Sequence, residues 1–301
     1  MYRKIFLTGG TGFVGTEILK ELVKNKYKVK VLTHERKPEV LSNLVEIVNG
    51  DVKDTDSFID SVKGCDTIIH LVGIIRETPW RDITFERLHV EATKNMITAA
   101  KQNKIKRFIH MSANGAKPKG TKYQTTKWRA EQLVKNSGLI YTIFRPSIIF
   151  GEHDNFTNRL ARQMRFGIVP YIGDGNYQLQ PVSVKTVAEA FVKSINNKKA
   201  FNKIYHLGGP EIYRYKELLD LIASKTGRKI VKFSVPVWIV RIFASLFGWL
   251  PQFPITNEQL TMLLEGNVCD YDKVKKDLKL SNPKLDSLKI KFYCIHQRGC
   301  K

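Results

Sequence analysis

Thr8-Gly9-Gly10-Thr11-Gly12-Phe13-Val14-Gly15 is the stretch that decides the fold. The apolar run Ile5-Phe6-Leu7 precedes it, and Phe13, Val14, Ile18, Leu19, Leu22 and Val23 follow at helical spacing. Strand, glycine-rich turn and helix, in that order, form the context in which such glycines bind a dinucleotide. Gly9 and Gly10 permit a tight turn. Gly12 lets backbone approach a pyrophosphate, and Gly15 lets the helix pack close to the strand. The helix N-terminus adds unpaired N–H groups and a partial positive charge, so Thr11, Phe13 and Val14 belong to the same grip. The run satisfies G-x-G-x-x-G through Gly10, Gly12 and Gly15, and G-x-x-G-x-x-G through Gly9, Gly12 and Gly15.

Outward from this turn, strands alternate with helices. Strands are expected at Lys28–Thr33, Val45–Val48, Asp66–Leu71, Arg107–Met111, residues 139–145 and Ile204–Leu207. Helices are expected around Thr55–Val62, Phe85–Gln102, Tyr123–Val134, Asn155–Phe166 and Thr186–Asn196. The alternation predicts an α/β fold with a doubly wound parallel sheet of the Rossmann type. Ligands bind such sheets at the C-terminal ends of the strands. The glycine turn, the Thr33–Lys37 tip, Asp51 with Val52, Leu71-Val72-Gly73 and Ser112 all fall at those ends.

The Thr33-His34-Glu35-Arg36-Lys37 tip bears on cofactor type. An acidic residue there accepts both ribose hydroxyls, whereas basic groups hold a 2′-phosphate. Glu35 argues for NAD; His34, Arg36 and Lys37 argue for NADP, and NADP(H) is favoured over NAD(H). Asp51 is placed to accept the adenine amino group, or else is a turn aspartate. Gly73 lets backbone run beside the cofactor, and Pro146 and Ser147 line the nicotinamide pocket.

Tyr123-Gln124-Thr125-Thr126-Lys127 gives Y-x-x-x-K, with both side chains on one helix face. An ammonium beside a phenol stabilises the phenolate, whose reference pKa of about 10 must fall for efficient proton exchange. Tyr271 and Lys275 match the same pattern, so position after the fifth strand singles out Tyr123.

The chain has 301 residues, 43% of them hydrophobic, enough for one large α/β domain with an appendage. Its 50 Lys and Arg against 28 Asp and Glu give a formal charge of +22, which favours anionic cofactors or an anionic membrane surface. No base-reading motif or aromatic–basic ladder occurs, so nucleic acid is not an expected partner. Cys65, Cys269, Cys294 and Cys300 lack C-x-x-C spacing. A reducing compartment fits, and Cys294, His296 and Cys300 find no fourth ligand, so no metal site is expected. The first strand begins almost at Met1, which predicts a cytoplasmic protein with no leader segment. In that setting the sequon Asn155-Phe156-Thr157 carries no meaning. Val237–Leu250, bracketed by Pro236 and Pro251, is the most hydrophobic run. It is too short to span a bilayer. It reads as a buried or subunit-contacting helix, or as an interfacial one with Trp238 and Trp249 near headgroups and the protein peripheral to a membrane.

These features resemble the extended short-chain dehydrogenase/reductase superfamily, with its sugar-nucleotide epimerases and dehydratases. The matching stretches are Thr8–Gly15, Gly50-Asp51-Val52, His70–Gly73, Tyr123 with Lys127, and Phe144–Gly151. Gln180–Val184, Tyr205–Pro210, Pro254–Leu260 and Leu264–Val268 sharpen the likeness to one atypical branch, which holds a dehydrogenase-like accessory subunit of mitochondrial complex I and bacterial relatives. The resemblance covers residues 1 to about 285. It implies an NAD(P)-binding domain over 1–150 completed by a strand near 204–207, a mixed substrate region over 151–285, and a tail over 286–301. In active members a Ser or Thr just past the fifth strand binds the substrate oxygen. Here Ala113 and Asn114 follow Ser112, which stands one or two residues early. Two functions follow. One is hydride transfer on a small-molecule substrate (a nucleotide sugar, or a membrane-associated carbonyl or quinone) with Tyr123 as acid/base. The other is a non-catalytic NADP(H)-binding module of a membrane-associated respiratory complex.

Overall fold

In β1 (Lys4–Thr8) the side chains alternate across the sheet: Ile5 and Leu7 pack on one face and Phe6 on the other, all fully buried. The same alternation runs through β2 (Lys28–Thr33), β3 (Val45–Asn49), β4 (Thr67–His70), β5 (Arg107–Met111) and β6 (Ile140–Pro146). The computed structural model describes residues 3–250, 252–281 and 285. The expected tail, with Cys294, His296 and Cys300, lies outside the described residues, as does Pro251.

Seven parallel strands form the sheet, in the order Lys203–Leu207, β6, β5, β4, β1, β2, β3. The order reverses between β1 and β4, which opens a crevice at their C-terminal ends. On one face lie α1 (Phe13–Lys24), through Ile18 and Leu22, and a helix at Val184–Ser194, through Val187 and Phe191. On the other lie α2 (Ala92–Gln102), through Met96 and Ala100, and α3 (Lys122–Lys135), through Val134. The helix expected from Phe85 is present, with Glu86–Glu91 wound as a wider π turn ahead of α2.

The helix expected around Thr55–Val62 is not formed; only a 3₁₀ turn at Ile59–Val62 is. Side chains there bond the backbone in turns instead: Lys53 N–H to Asp51 Oδ1 (2.9 Å), Asp56 N–H to Asp54 Oδ1 (3.1 Å) and Ser57 Oγ to the Asp54 carbonyl (2.7 Å). Such local bonds compete with the helical ladder.

Residues beyond β6 build a third core around Leu160, Met164, Val169, Leu218 and Ile222. It contains helices at Asn155–Gln163 and Tyr215–Lys225, and a parallel two-stranded ribbon of Ile168–Ile172 with Val231–Val235. The apolar run forms a helix at Val237–Phe247 and is not buried: Ala244 is its one fully buried residue, while Trp238 and Leu246 are about 63% and 58% exposed. Arg76 ties its C-terminal end to the body through the carbonyls of Gly248 (2.9 Å) and Phe253 (3.0 Å), and no described element covers its outer side.

Three histidines are buried beside the crevice. His70 and His110 stack in register on β4 and β5 with ring centroids 5.6 Å apart, and Thr8 Oγ1 lies 2.7 Å from His70 Nδ1. His89 Nδ1 lies 2.9 Å from Thr126 Oγ1. Burial, reinforced by the Lys127 ammonium, lowers His70 to about 3 and His89 to about 2, and holds His110 well below its usual value. The unfolded histidines take up protons near pH 6.5 while the folded ones stay neutral. Stability is therefore complete above that pH and falls by about 1.4 kcal/mol per histidine for each unit below it. Urea unfolding at pH 7.5 and 5.5 is expected to differ by about 4 kcal/mol, and His110→Leu is expected to remove about a third of that difference.

Candidate functional site

The glycine turn is shaped by close backbone approach. Gly9 adopts φ +73°, open chiefly to glycine. A Cβ on Gly15 would stand 2.0 Å from the Gly9 carbonyl oxygen, and one on Gly10 would stand 2.8 Å from Val31 Cγ1. Gly12 takes the N-cap position of α1 with no side-chain cap, so the first N–H groups of the helix face the crevice uncapped. A bulkier residue would fill this cradle, and its donor set suits a diphosphate. The cradle fits a dinucleotide.

Further along the crevice, the structure brings together Phe13, Val14, Leu71, Gly73, Ser112, Tyr123, Lys127, Pro146 and Ser147 on the wall of one cavity of about 1560 Å³. Val72 sits between two of them in the chain. A Cβ on Gly73 would lie 2.7 Å from Lys127 Nζ, so this glycine makes room for the lysine. His34, Arg36, Lys37, Asp51 and Val52 lie apart from the cavity, at the tips of β2 and β3. Asp51 Oδ1 accepts from Lys53 N–H within a turn, and its Oδ2 lies 3.8 Å from His34 Nε2. Arg36 and Lys37 are exposed, with no bonded partner among the described residues.

A capping box places the catalytic candidates. Thr121 Oγ1 accepts from Gln124 N–H (3.3 Å), and Gln124 Oε1 accepts from Thr121 N–H (2.9 Å). This fixes the start of α3, so Tyr123 stands in its first turn and Lys127 one turn later. The Tyr123 ring is held edge-on by Phe85 (5.6 Å) and His89 (5.4 Å). Its hydroxyl has no hydrogen-bond partner among the described residues. Burial raises the Tyr123 phenol to about 12. Lys127 Nζ donates to the Met111 carbonyl at 3.2 Å. Burial lowers Lys127 to about 8, against the opposing pull of Glu131.

Ser112 is buried on the cavity wall. Its hydroxyl donates to Glu131, whose carboxylate also receives Arg145 through Nε (2.8 Å) and a terminal nitrogen (2.6 Å). The side chain of Ala113, the next residue, carries no donor. Asn114 lines the cavity, but its amide nitrogen donates to Asn267 Oδ1 (2.7 Å) and the Val268 carbonyl (3.2 Å). Ser147 likewise donates to the Asn267 carbonyl at 2.9 Å.

The Glu131–Arg145 pair and the histidine cluster escaped the sequence reading. Glu131 carried a usable signal, because it continues the four-residue spacing of Tyr123 and Lys127 on one helix face. The far half of the cavity carried none. Ile239, Val240, Phe243, Met262 and Leu263 come from elements more than a hundred residues beyond Tyr123. Among the described residues no cluster of His, Cys, Asp and Glu could hold a metal ion, and no helix is long and apolar enough to cross a membrane.

Comparison with known proteins fits this geometry. The chain is 28% identical over 260 residues to subunit 9 of the alpha subcomplex of mouse mitochondrial NADH dehydrogenase (ubiquinone), covering 83% of this chain and 68% of that one. It is 23% identical over 305 residues to a ketoreductase of Stigmatella aurantiaca named for a farnesylated dihydroquinoline oxide, covering 91% of each. Among solved structures it superposes on MoeE5 in complex with UDP-glucose and NAD with a TM-score of 0.75, at 18% identity, over 94% of this chain and 95% of that one. The model of the NAD-dependent epimerase/dehydratase family matches residues 5–208, from β1 through the strand that closes the sheet, and the chain belongs to that family.

Proposed function

We propose that the protein is an NADP(H)-dependent reductase of a carbonyl substrate, with Tyr123 as the proton donor. The observation that carries this reading is the unpartnered Tyr123 hydroxyl on the cavity wall, one helical turn from Lys127. The Gly9–Gly15 turn and the α1 N-terminus would hold the diphosphate, and Gly73, Lys127, Pro146 and Ser147 would flank the nicotinamide. The bound cofactor supplies the hydride. The phenol gives its proton to the substrate oxygen as that oxygen becomes an alcohol. A phenol that burial keeps protonated suits the reductive direction. Lys127 would stabilise the phenolate left behind. Ser112 is assigned to orienting Glu131 and Arg145 beneath the site, since its donor is already engaged.

The substrate region supports a carbonyl compound of low polarity over a nucleotide sugar. Its walls beyond Tyr123 are largely Ile, Val, Phe, Met and Leu, and Arg76 is engaged by backbone carbonyls. The ketoreductase relative, named for a farnesylated compound, is in keeping with this. Preference for NADP(H) rests on Arg36 and Lys37, whose exposed cations stand ready for a 2′-phosphate.

A second reading keeps the cofactor and drops the turnover: an accessory module of a membrane-associated respiratory assembly. The absence of a free hydroxyl at Ser112–Ala113 favours it, as does the likeness to a named NADH dehydrogenase subunit.

Mass spectrometry of the isolated protein is expected to find a nicotinamide dinucleotide, and an empty protein with no NAD(P) affinity would defeat both readings. Reduction of ketone and quinone substrates is expected to fall about 10²- to 10⁴-fold in Tyr123→Phe with cofactor affinity retained; turnover by neither form favours the module. Arg36→Ala with Lys37→Ala is expected to weaken NADPH binding about 10- to 100-fold while barely altering NADH. Equal loss for both cofactors in titration would overturn the NADP(H) preference.

A further inference from the structure

One apolar face runs unbroken from the cavity wall to solvent. In the ribbon, Ile168 pairs with Val231, Pro170 with Phe233 and Ile172 with Val235. Alternate residues share a side, so these six line one surface, while Lys232 turns to the opposite side and reaches Asp220 at 2.6 Å. Ile172 and Val235 line the cavity, whereas Ile168 and Val231, at the other end, are about 59% and 69% exposed. The Val237–Phe247 helix continues this arrangement. Its inner side gives Ile239 and Val240 to the cavity, and its outer side presents Trp238, Ile242 and Leu246 to solvent.

Charge distinguishes what covers this face. Residues 155–173 and 221–257, which build it, contain no Asp or Glu. They carry Arg159, Arg162 and Arg165 in the first segment, and Lys225, Arg228, Lys229 and Arg241 in the second, besides Lys232 on the opposite side of the ribbon. A second copy docked by two-fold symmetry would bring cations against cations. An anionic surface with an apolar interior matches both properties. Trp238 at the start of the helix and Trp249 just past its end suit the boundary between headgroups and acyl chains.

We propose that this face lies in the headgroup layer of an anionic bilayer, and that the cavity opens into that layer to take a ligand with an apolar chain, its polar head toward Tyr123. The ligand's head chemistry rests on the reductase reading; the docking and the chain site do not.

Flotation of the full chain with vesicles tests the docking. Vesicles of equal phosphatidylglycerol and phosphatidylcholine are expected to carry the protein at low salt. Binding is expected to fall about tenfold or more with phosphatidylcholine alone, and likewise in Arg162→Glu with Arg165→Glu. Ile242→Glu with Leu246→Glu is expected to abolish flotation, with nucleotide affinity and melting temperature retained. A wild-type chain that stays unbound would overturn the docking. So would equal flotation of the variants, or a lipid-free dimer that the Ile242/Leu246 variant dissolves. The chain site is read separately with cis-parinaric acid, whose fluorescence rises in a dry apolar cavity. Saturable enhancement is expected in the wild type and in Tyr123→Phe, and a fall of about tenfold in Val240→Trp, which fills the passage. No saturable enhancement in the wild type would overturn the apolar-chain ligand, whether or not the protein reduces carbonyls.

Discussion

The close approach of the Gly9 carbonyl to Gly15 is the contact on which the rest of the structure depends. A Cβ at Gly15 would stand only 2.0 Å from the Gly9 carbonyl oxygen, so only glycine lets α1 begin this near β1. That nearness seats Ile18 and Leu22 on the sheet and aims the uncapped helix N-terminus into the crevice. The crevice itself arises because the strand order reverses between β1 and β4. A wider turn would separate the pyrophosphate cradle from the cavity where Tyr123 and Lys127 stand.

The polar side chains around that cavity are mostly engaged with one another. Ser112 and Arg145 converge on Glu131, and Asn114 and Ser147 converge on Asn267. Such closed networks rigidify a site and leave few donors for a ligand. Tyr123 stands out because its ring is clamped by Phe85 and His89 while its hydroxyl has no partner among the described residues. Burial holds the histidines behind it in the neutral form, so they add no positive charge there.

The strands were legible because each is short, apolar and ended by a turn or a charged tip; Lys28–Thr33 and Arg107–Met111 agree residue for residue. The Thr55–Val62 segment was misread because its acidic and hydroxyl side chains bond the backbone locally, which a count of apolar spacing does not register. Tyr123 and Lys127 were legible from spacing and from position after the fifth strand. Ser112 was legible as a residue at the right strand end, but its partner was not, since Glu131 reaches it from α3 and is itself held by Arg145 of β6.

By itself the sequence determined the parallel α/β order, the glycine cradle and the helix face that carries Tyr123 and Lys127, because these follow from local periodicity and steric need. Tertiary structure alone decided which hydroxyl stays free, which histidines are buried, and where the apolar run near residue 240 ends up. Those outcomes depend on contacts between elements far apart in the chain. The run from Val237 onward is as apolar as a core helix, yet Arg76, more than 150 residues earlier, pins it at the cavity mouth with its outer side uncovered.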